Sequence, residues 1–263
     1  NMAILKRPDG TRIFYKLVGK DTGRPPLVLI HGWCSKHELW DEQVRHFRRH
    51  HRILLLDRRG HGRSTTSGSG HDAVGHAADI AAVTKAAGLK GVVAIGHAGG
   101  GSGTLEFVRA NPRLVKAGIA VDTFLYPLPK LNDPKSPFGM LLGPMFDALR
   151  GSKAISAFRT WYTSYFDAKF DRARVREIVA DAGRVTPEVK IAELHGMVVD
   201  TAAIAAGIKQ PVLWLMAGAQ DQAYIASKFR NVDFAQVYGA SHFPQLEQPQ
   251  QTNAIIEAFL ARL

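Results

Sequence analysis

Residues 91–104, GVVAIGHAGGGSGT, contain the pattern that decides the fold. The apolar run 92–95, VVAI, predicts a buried β-strand that stops at Gly96. A glycine-rich turn follows, and a helical pattern then opens with Leu105. A strand, a sharp turn and a helix in this order are typical of an α/β protein with a parallel sheet.

The turn at residues 96–100, GHAGG, has the form of the nucleophile elbow G-x-S-x-G, with Ala98 where that pattern has serine. Small neighbours allow the strand and the helix to pass closely, and the residue at the tip is held in a strained backbone conformation. The sequence therefore predicts the frame of a serine hydrolase whose nucleophile is absent.

Composition limits the class of protein. The 263 residues, 46% of them hydrophobic, can bury a large core, and no apolar run approaches the roughly 20 residues of a membrane span. The single cysteine, Cys34, fits a reducing compartment. We therefore expect a cytoplasmic protein without a membrane partner, either a monomer or a homodimer.

The formal net charge of +11 raises the question of nucleic-acid binding. Basic residues cluster at 45–52 and 57–63, but neither cluster is interleaved with stacking aromatics or accompanied by a nucleic-acid motif. We expect no nucleic-acid partner, and we interpret the first cluster as a solvated helix face. The expected partner is a small-molecule substrate.

Short apolar runs separated by helical patterns predict a mostly parallel sheet with helices on both faces. The alternation breaks between residues 128 and 208, where helical segments rich in aromatic residues replace strands. We interpret 128–208 as a helical cap inserted into a core domain of residues 1–127 and 209–263. Such an insertion would cover the carboxyl ends of the strands, where parallel sheets bind ligands.

A catalytic triad needs a base and an orienting acid after the nucleophile, in the order nucleophile, acid, histidine. His242 follows the last predicted strand and is the expected base. Two acids follow strands: we favour Asp221 as the orienting acid, with Asp122 as the alternative. The backbone amides of Gly99 and Trp33 are the expected oxyanion donors.

Aromatic residues predict the nature of the substrate. Cap residues Trp161, Tyr162 and Phe166, together with Phe124 and Phe243, are expected to bind an apolar or aromatic moiety. We expect no metal and no cofactor, because His, Cys and carboxylate spacings typical of a metal site are absent and the glycine tract matches neither a dinucleotide fingerprint nor a phosphate loop.

Several motifs together resemble the α/β-hydrolase superfamily over essentially the whole chain: His31-Gly32-Trp33, the run 57–64, the elbow 96–100, the run 218–221 and the run 239–243. The resemblance implies an eight-stranded, mostly parallel sheet with a helical cap, and catalysis through an acyl-enzyme. An acid at Asp122 is similar to the arrangement in zearalenone lactonases. The run Gly32-Trp33-Cys34 resembles the cofactor-free 2,4-dioxygenases of hydroxyquinolones, which use the histidine as a base without a serine.

Three hypotheses for function follow. The first is a carboxylic-ester or lactone hydrolase in which Ala98 replaces the serine. Asn1 before Met2 is typical of a residue left by an expression tag, so we interpret Ala98 as an engineered, substrate-trapping replacement. The second is serine-independent base chemistry by His242, as in a cofactor-free dioxygenase or in C–C bond cleavage. The third is a non-catalytic ligand-binding homologue.

Overall fold

The computed structural model describes residues 1–128, 135 and 137–263. Within them, one sheet has the strand order β1-β2-β4-β3-β5-β6-β7-β8. The strands are β1 Met2–Lys6, β2 Arg12–Gly19, β3 Leu27–Ile30, β4 Arg52–Leu56, β5 Val92–His97, β6 Val115–Val121, β7 Val212–Met216 and β8 Val232–Gln236. This confirms the predicted eight-stranded α/β architecture.

Strands β3 to β8 pair in parallel, whereas β1 and β2 form an antiparallel hairpin that joins the sheet through β4. The central strand β5 lies between β3 and β6, and all six of its residues are buried. Parallel strands covered on both faces are expected to be apolar throughout. Because β5 and β6 pair in parallel, their carboxyl ends meet at one edge of the sheet.

Helices cover both faces of this sheet. The α-helices of the described residues are α1 Asp41–Phe47, α2 Ala73–Ala86, α3 Gly101–Ala110, α4 Pro137–Arg150, α5 Ala154–Ser164, α6 Arg172–Gly183, α7 Pro187–Gly196, α8 Thr201–Ala206, α9 Gln222–Ala226, α10 Pro244–Glu247 and α11 Pro249–Leu260. Side chains of β3 alternate: Val28 and Ile30 belong to the apolar cluster with α2 and α3, and Leu27 and Leu29 to the cluster with α1 and α11. The period of two explains why the run 27–30 is apolar at every position.

Five of these helices, α4 to α8, lie between β6 and β7, where the sequence predicts a helical insertion. A third apolar cluster joins side chains of α4 to α7 to Trp33, Leu39, Phe243 and Leu246, which all follow the ends of strands. The insertion therefore packs over the carboxyl edge of the sheet. The domain boundaries at 128 and 208 stay a prediction, since residues 129–134 and 136 lie outside the described part of the chain.

No described helix combines the length and the apolar character that a membrane crossing requires.

Candidate active site

Ala98 stands at the tip of the turn between β5 and α3, with a backbone φ of 47°. A side chain rarely adopts this left-handed conformation, so the surrounding packing must hold it there. A Cβ on Gly96 would collide with Thr104, and one on Gly100 would collide with the carbonyl of His31. The glycines of the elbow thus allow the close approach that sets the tip residue in place.

His242 follows β8 and is held at three atoms. Its Nδ1 lies 2.6 Å from Oδ2 of Asp122, its backbone N–H donates to the carbonyl of Tyr165 at 2.9 Å, and its carbonyl accepts from Nε2 of His97 at 2.6 Å. When a carboxylate accepts the Nδ1 proton, the basic lone pair of a neutral imidazole is on Nε2. The arrangement supplies an oriented base.

Asp122 immediately follows β6 and, like Ala98, has a positive φ, of 44°. Its second oxygen, Oδ1, accepts the backbone N–H of Ala217 at 2.9 Å. Both carboxylate oxygens therefore have a donor, which fixes the plane of the carboxylate that contacts His242.

The preference for Asp221 as the partner of His242 was wrong. Asp221 is exposed, and its carboxylate accepts the N–H of Tyr224 at 2.9 Å as the N-cap of α9. Asp122 directly follows the last residue of its strand, whereas Asp221 comes five residues after Met216. This tighter spacing is the sequence signal that could have separated the two acids.

A cavity of about 270 Å³ opens above the elbow, and Ala98, Gly99, Trp33 and His242 contribute to its wall. Among its described lining residues none is Lys, Arg, Asp or Glu. Burial raises the pKa of both Tyr162 and Tyr165, so their phenols stay protonated. A neutral, largely apolar ligand suits such a wall.

The predicted aromatic residues divide into two groups. Phe124, Tyr162 and Phe243 line the cavity. Phe166 and Trp161 were expected to line it and do not: Phe166 is buried behind the wall, stacked on Phe243 with 4.4 Å between ring centroids, and Trp161 packs against the apolar cluster of the inserted helices. Helix periodicity alone did not show which face of α5 meets the cavity.

Other residues that line the cavity were not predicted from the sequence. They include Ser35, Ser102, Thr123, Met145, Tyr165 and Met197. Thr123 follows Asp122 and donates its hydroxyl to the carbonyl of Ala98 at 2.8 Å, so its place after a strand end was a usable signal. Met145 and Met197 come from α4 and from the residue after α7, and nothing local in the sequence distinguishes them.

The two predicted oxyanion donors are neighbours. A Cβ on Gly99 would lie 3.3 Å from the backbone nitrogen of Trp33, so the two backbones approach closely at the cavity wall. Within the described residues the amide of Trp33 has no acceptor. The amide of Gly99 lies in the first turn of a helix, where N–H groups lack intrahelical partners. Both amides are thus available to an anion.

The loop that carries Trp33 is braced by the basic run 57–63. The Arg58 guanidinium donates to the carbonyl of Gly32 at 3.0 Å, and the backbone N–H of Cys34 donates to Nε2 of His61 at 3.2 Å. Burial, with the neighbouring Arg58 charge, lowers the pKa of His61 to about 4, which leaves this imidazole neutral and able to accept. The peptide groups on either side of Trp33 are thereby fixed.

Among the residues that the structure describes, two groups of side chains have the composition of a metal site, and one of them is buried: His71, His76 and Glu193. The Arg58 guanidinium lies 2.7 Å from Oε2 of Glu193 and 3.0 Å from Nε2 of His76. A permanent cation already occupies the space that a divalent ion would need, and both imidazoles contact Oε1. The group fits a buried ion-pair network that ties α7 to the core.

The other group is His37, Glu38 and Asp57. Oδ1 of Asp57 accepts both the backbone N–H and Nδ1 of His37 at 2.9 Å, and Oδ2 accepts the N–H of Arg63. The carboxylate therefore serves the turn 57–63, and the expectation of no metal stays a prediction.

A model of the alpha/beta hydrolase fold family matches residues 25–249. The chain is 39% identical over 155 residues to a non-heme chloroperoxidase of Streptomyces lividans, an alignment that covers 58% of this chain and 55% of that protein. The chain thus spans only about half the length of that relative.

Two further likenesses cover most of the chain. A 2-heptyl-3-hydroxy-4-quinolone dioxygenase of Rhodococcus erythropolis is 24% identical over 264 residues, or 88% of this chain and 85% of that protein. The structure of an enol-lactonase from Burkholderia xenovorans superimposes with a TM-score of 0.85 at 17% identity over 98% of this chain and 100% of that one. The sheet order, the turn at Ala98 and the family match together show that the chain belongs to the α/β-hydrolase fold family.

Proposed function

We propose that this chain has the active site of a carboxylic-ester or lactone hydrolase in which Ala98 replaces the nucleophilic serine. The observation that carries the proposal is the pairing of His242 with Asp122 at 2.6 Å, in the wall of the cavity that Ala98 and the neighbouring Trp33 and Gly99 also line. An oriented base and two anion donors around the tip residue are the parts that acyl transfer requires.

With serine at position 98, each group has a defined role. His242 Nε2 takes the hydroxyl proton as oxygen attacks the ester carbonyl, and Asp122 stabilises the imidazolium that forms. The amides of Gly99 and Trp33 hold the oxyanion. The histidine returns the proton to the leaving alcohol, and water then cleaves the acyl-enzyme by the same route. Alanine removes the nucleophile only, because both oxyanion donors belong to the backbone.

The proposed substrate is a neutral ester or lactone with an apolar or aromatic part. The described lining combines apolar and aromatic side chains with serine and threonine hydroxyls and two histidines, and it contains no carboxylate, ammonium or guanidinium. Relatives of the chain include esterases, lactonases and haloperoxidases. Their names support the reaction class, and the choice of substrate is inferred from the cavity.

The test compares Ala98→Ser with the chain as given on phenyl acetate and a panel of lactones. We expect kcat to rise by about four to six orders of magnitude, the range that loss of a triad member removes in other serine hydrolases. Adding His242→Gln to Ala98→Ser is the matched control and should abolish the gain. If Ala98→Ser gives no hydrolysis of any ester or lactone, the proposal is wrong.

A second candidate follows from the same dyad. The chain as it stands holds an oriented base and no hydroxyl at the tip, which is sufficient for a reaction that begins with proton abstraction by His242. The name of the dioxygenase relative gives its substrate as 2-heptyl-3-hydroxy-4-quinolone. Oxygen uptake by the unaltered chain with 2-heptyl-3-hydroxy-4-quinolone, lost in His242→Ala, would favour this candidate. Ligand binding without turnover in either form would favour a binding protein.

A further inference from the structure

Ser102 is a largely buried residue whose hydroxyl faces the cavity and has no partner among the described residues. It lies in the first turn of α3, is 9% exposed and lines the cavity, and its Oγ has no hydrogen bond to any described residue. The hydroxyls of the other buried residues in the described lining each donate to a backbone carbonyl oxygen, at 2.8 to 3.4 Å: Ser35, Thr123, Tyr162 and Thr201. Ser102 is therefore the exception among them.

A serine within a helix commonly satisfies its hydroxyl on the carbonyl four residues earlier. For Ser102 that carbonyl belongs to Ala98, and it accepts the hydroxyl of Thr123 instead. A polar group that faces a cavity without a protein partner takes its hydrogen bond from water or from a ligand. The hydroxyl of Ser102 is left to interact with whatever fills the cavity.

We propose that Ser102 is a ligand-binding residue that recognises an oxygen substituent next to the ester or lactone carbonyl. Ser102 is the second residue of α3, which begins three residues after Ala98, and both residues line the cavity. For a ligand whose carbonyl lies at the tip of the elbow, we take the α- or β-carbon as the part that extends toward Ser102. This inference rests on the proposed function, since it takes the position of the carbonyl from it.

The chemistry of the wall limits that substituent to a neutral oxygen. The described lining offers no Lys or Arg to pair with a second carboxylate. A serine hydroxyl both donates and accepts, so a hydroxyl or a keto oxygen would satisfy it. The ligand class that we infer is a neutral α- or β-hydroxy, or keto, ester or lactone with an apolar remainder.

The experiment uses the chain as given, because Ala98 permits binding to be measured without turnover. The probes are methyl phenylacetate and the two enantiomers of methyl mandelate, which differ from it by one α-hydroxyl. We expect one enantiomer of methyl mandelate to bind about threefold to tenfold more tightly than methyl phenylacetate, the effect of one hydrogen bond. In Ser102→Ala this ratio of dissociation constants should fall to about one, with little change in the Kd of methyl phenylacetate.

Ser164→Ala is the control, because Ser164 also lines the cavity but its hydroxyl donates to the carbonyl of Trp161 at 2.6 Å. This variant should keep the preference. Ser102→Ala should unfold at the same temperature as the unaltered chain or higher, because the hydroxyl has no described partner to lose and alanine has the higher helix propensity. A marked loss of stability would show that the hydroxyl has a structural partner, and would overturn the inference.

Failure of this inference can be told apart from failure of the proposed function. If Ala98→Ser hydrolyses methyl phenylacetate and both mandelates at equal rates, and Ser102→Ala changes neither rates nor binding, Ser102 does not recognise the ligand although the hydrolase proposal stands. If Ala98→Ser hydrolyses none of these esters while the binding preference persists in the unaltered chain, the contact with Ser102 stands and the hydrolase proposal falls.

Discussion

Replacing Asp122 by asparagine tests which acid supports His242. In the structure Oδ2 accepts from His242 and Oδ1 accepts from the backbone N–H of Ala217. An asparagine has one acceptor oxygen for these two donors. If its oxygen stays on Ala217, its NH₂ group faces His242 and favours the tautomer with the proton on Nε2, which cannot act as a base.

We therefore expect Asp122→Asn, made in the Ala98→Ser background, to lower kcat by about 10⁴-fold, the effect of the equivalent change in a serine protease. The assay is steady-state hydrolysis of phenyl acetate. The tautomer can be read separately in the unaltered Ala98 chain, from the ¹⁵N shifts of the His242 ring with and without Asp122→Asn.

Asp221→Asn is the matched control. Asparagine caps a helix about as well as aspartate, so α9 should be preserved and activity should change by less than about threefold. The reasoning is refuted if Asp221→Asn lowers kcat by a hundredfold or more while Asp122→Asn leaves it intact.

Three further predictions concern the surroundings of the site. Glu193→Gln should lower the free energy of unfolding, measured by urea titration, by about 3 kcal/mol or more, because it leaves the buried Arg58 guanidinium without its counter-charge. Glu188→Gln, on the exposed side of the same helix, is the control and should have little effect. Gly99→Ala in the Ala98→Ser background should lower kcat by about a hundredfold, because the new methyl would lie 2.5 Å from Cε of Met197 and 3.2 and 3.3 Å from Cβ and N of Trp33, and so crowds the oxyanion donors; an unchanged rate would place the oxyanion elsewhere. Burial, with the nearby His242, lowers the pKa of His97 to about 3, so as the pH falls below about 6.5 the unfolded chain takes up this proton and the folded chain does not. The folded state therefore loses stability, and the urea concentration at the unfolding midpoint should decrease from pH 7 to pH 5. In His97→Gln this decrease should be smaller.

The fold and the centre of the site could be predicted because they depend on local patterns. The run 92–95 followed by glycines specifies a buried strand and a sharp turn, and the structure places Ala98 at that tip with a positive φ. His242 could be found because it follows the last strand. Each of these features depends on residues that are adjacent in sequence.

The remaining features of the site depend on distant packing. Two aspartates follow strands, and although Asp122 follows its strand more closely, the contact with His242 is what identifies it as the partner. The faces of α5 could not be assigned either: Tyr162 meets the cavity, and Trp161, its neighbour in sequence, does not. The unpartnered hydroxyl of Ser102 is visible only once the carbonyl of Ala98 is seen to accept from Thr123.

The most direct test of the account is intact-protein mass spectrometry of Ala98→Ser, quenched within seconds of mixing with phenyl acetate. The account predicts the added mass of one acetyl group, mapped by peptide digestion to position 98, and no such addition in the unaltered chain or when His242→Gln is combined with Ala98→Ser. Acetylation at another residue, or none together with undiminished hydrolysis, would contradict the assignment of position 98 as the nucleophile site.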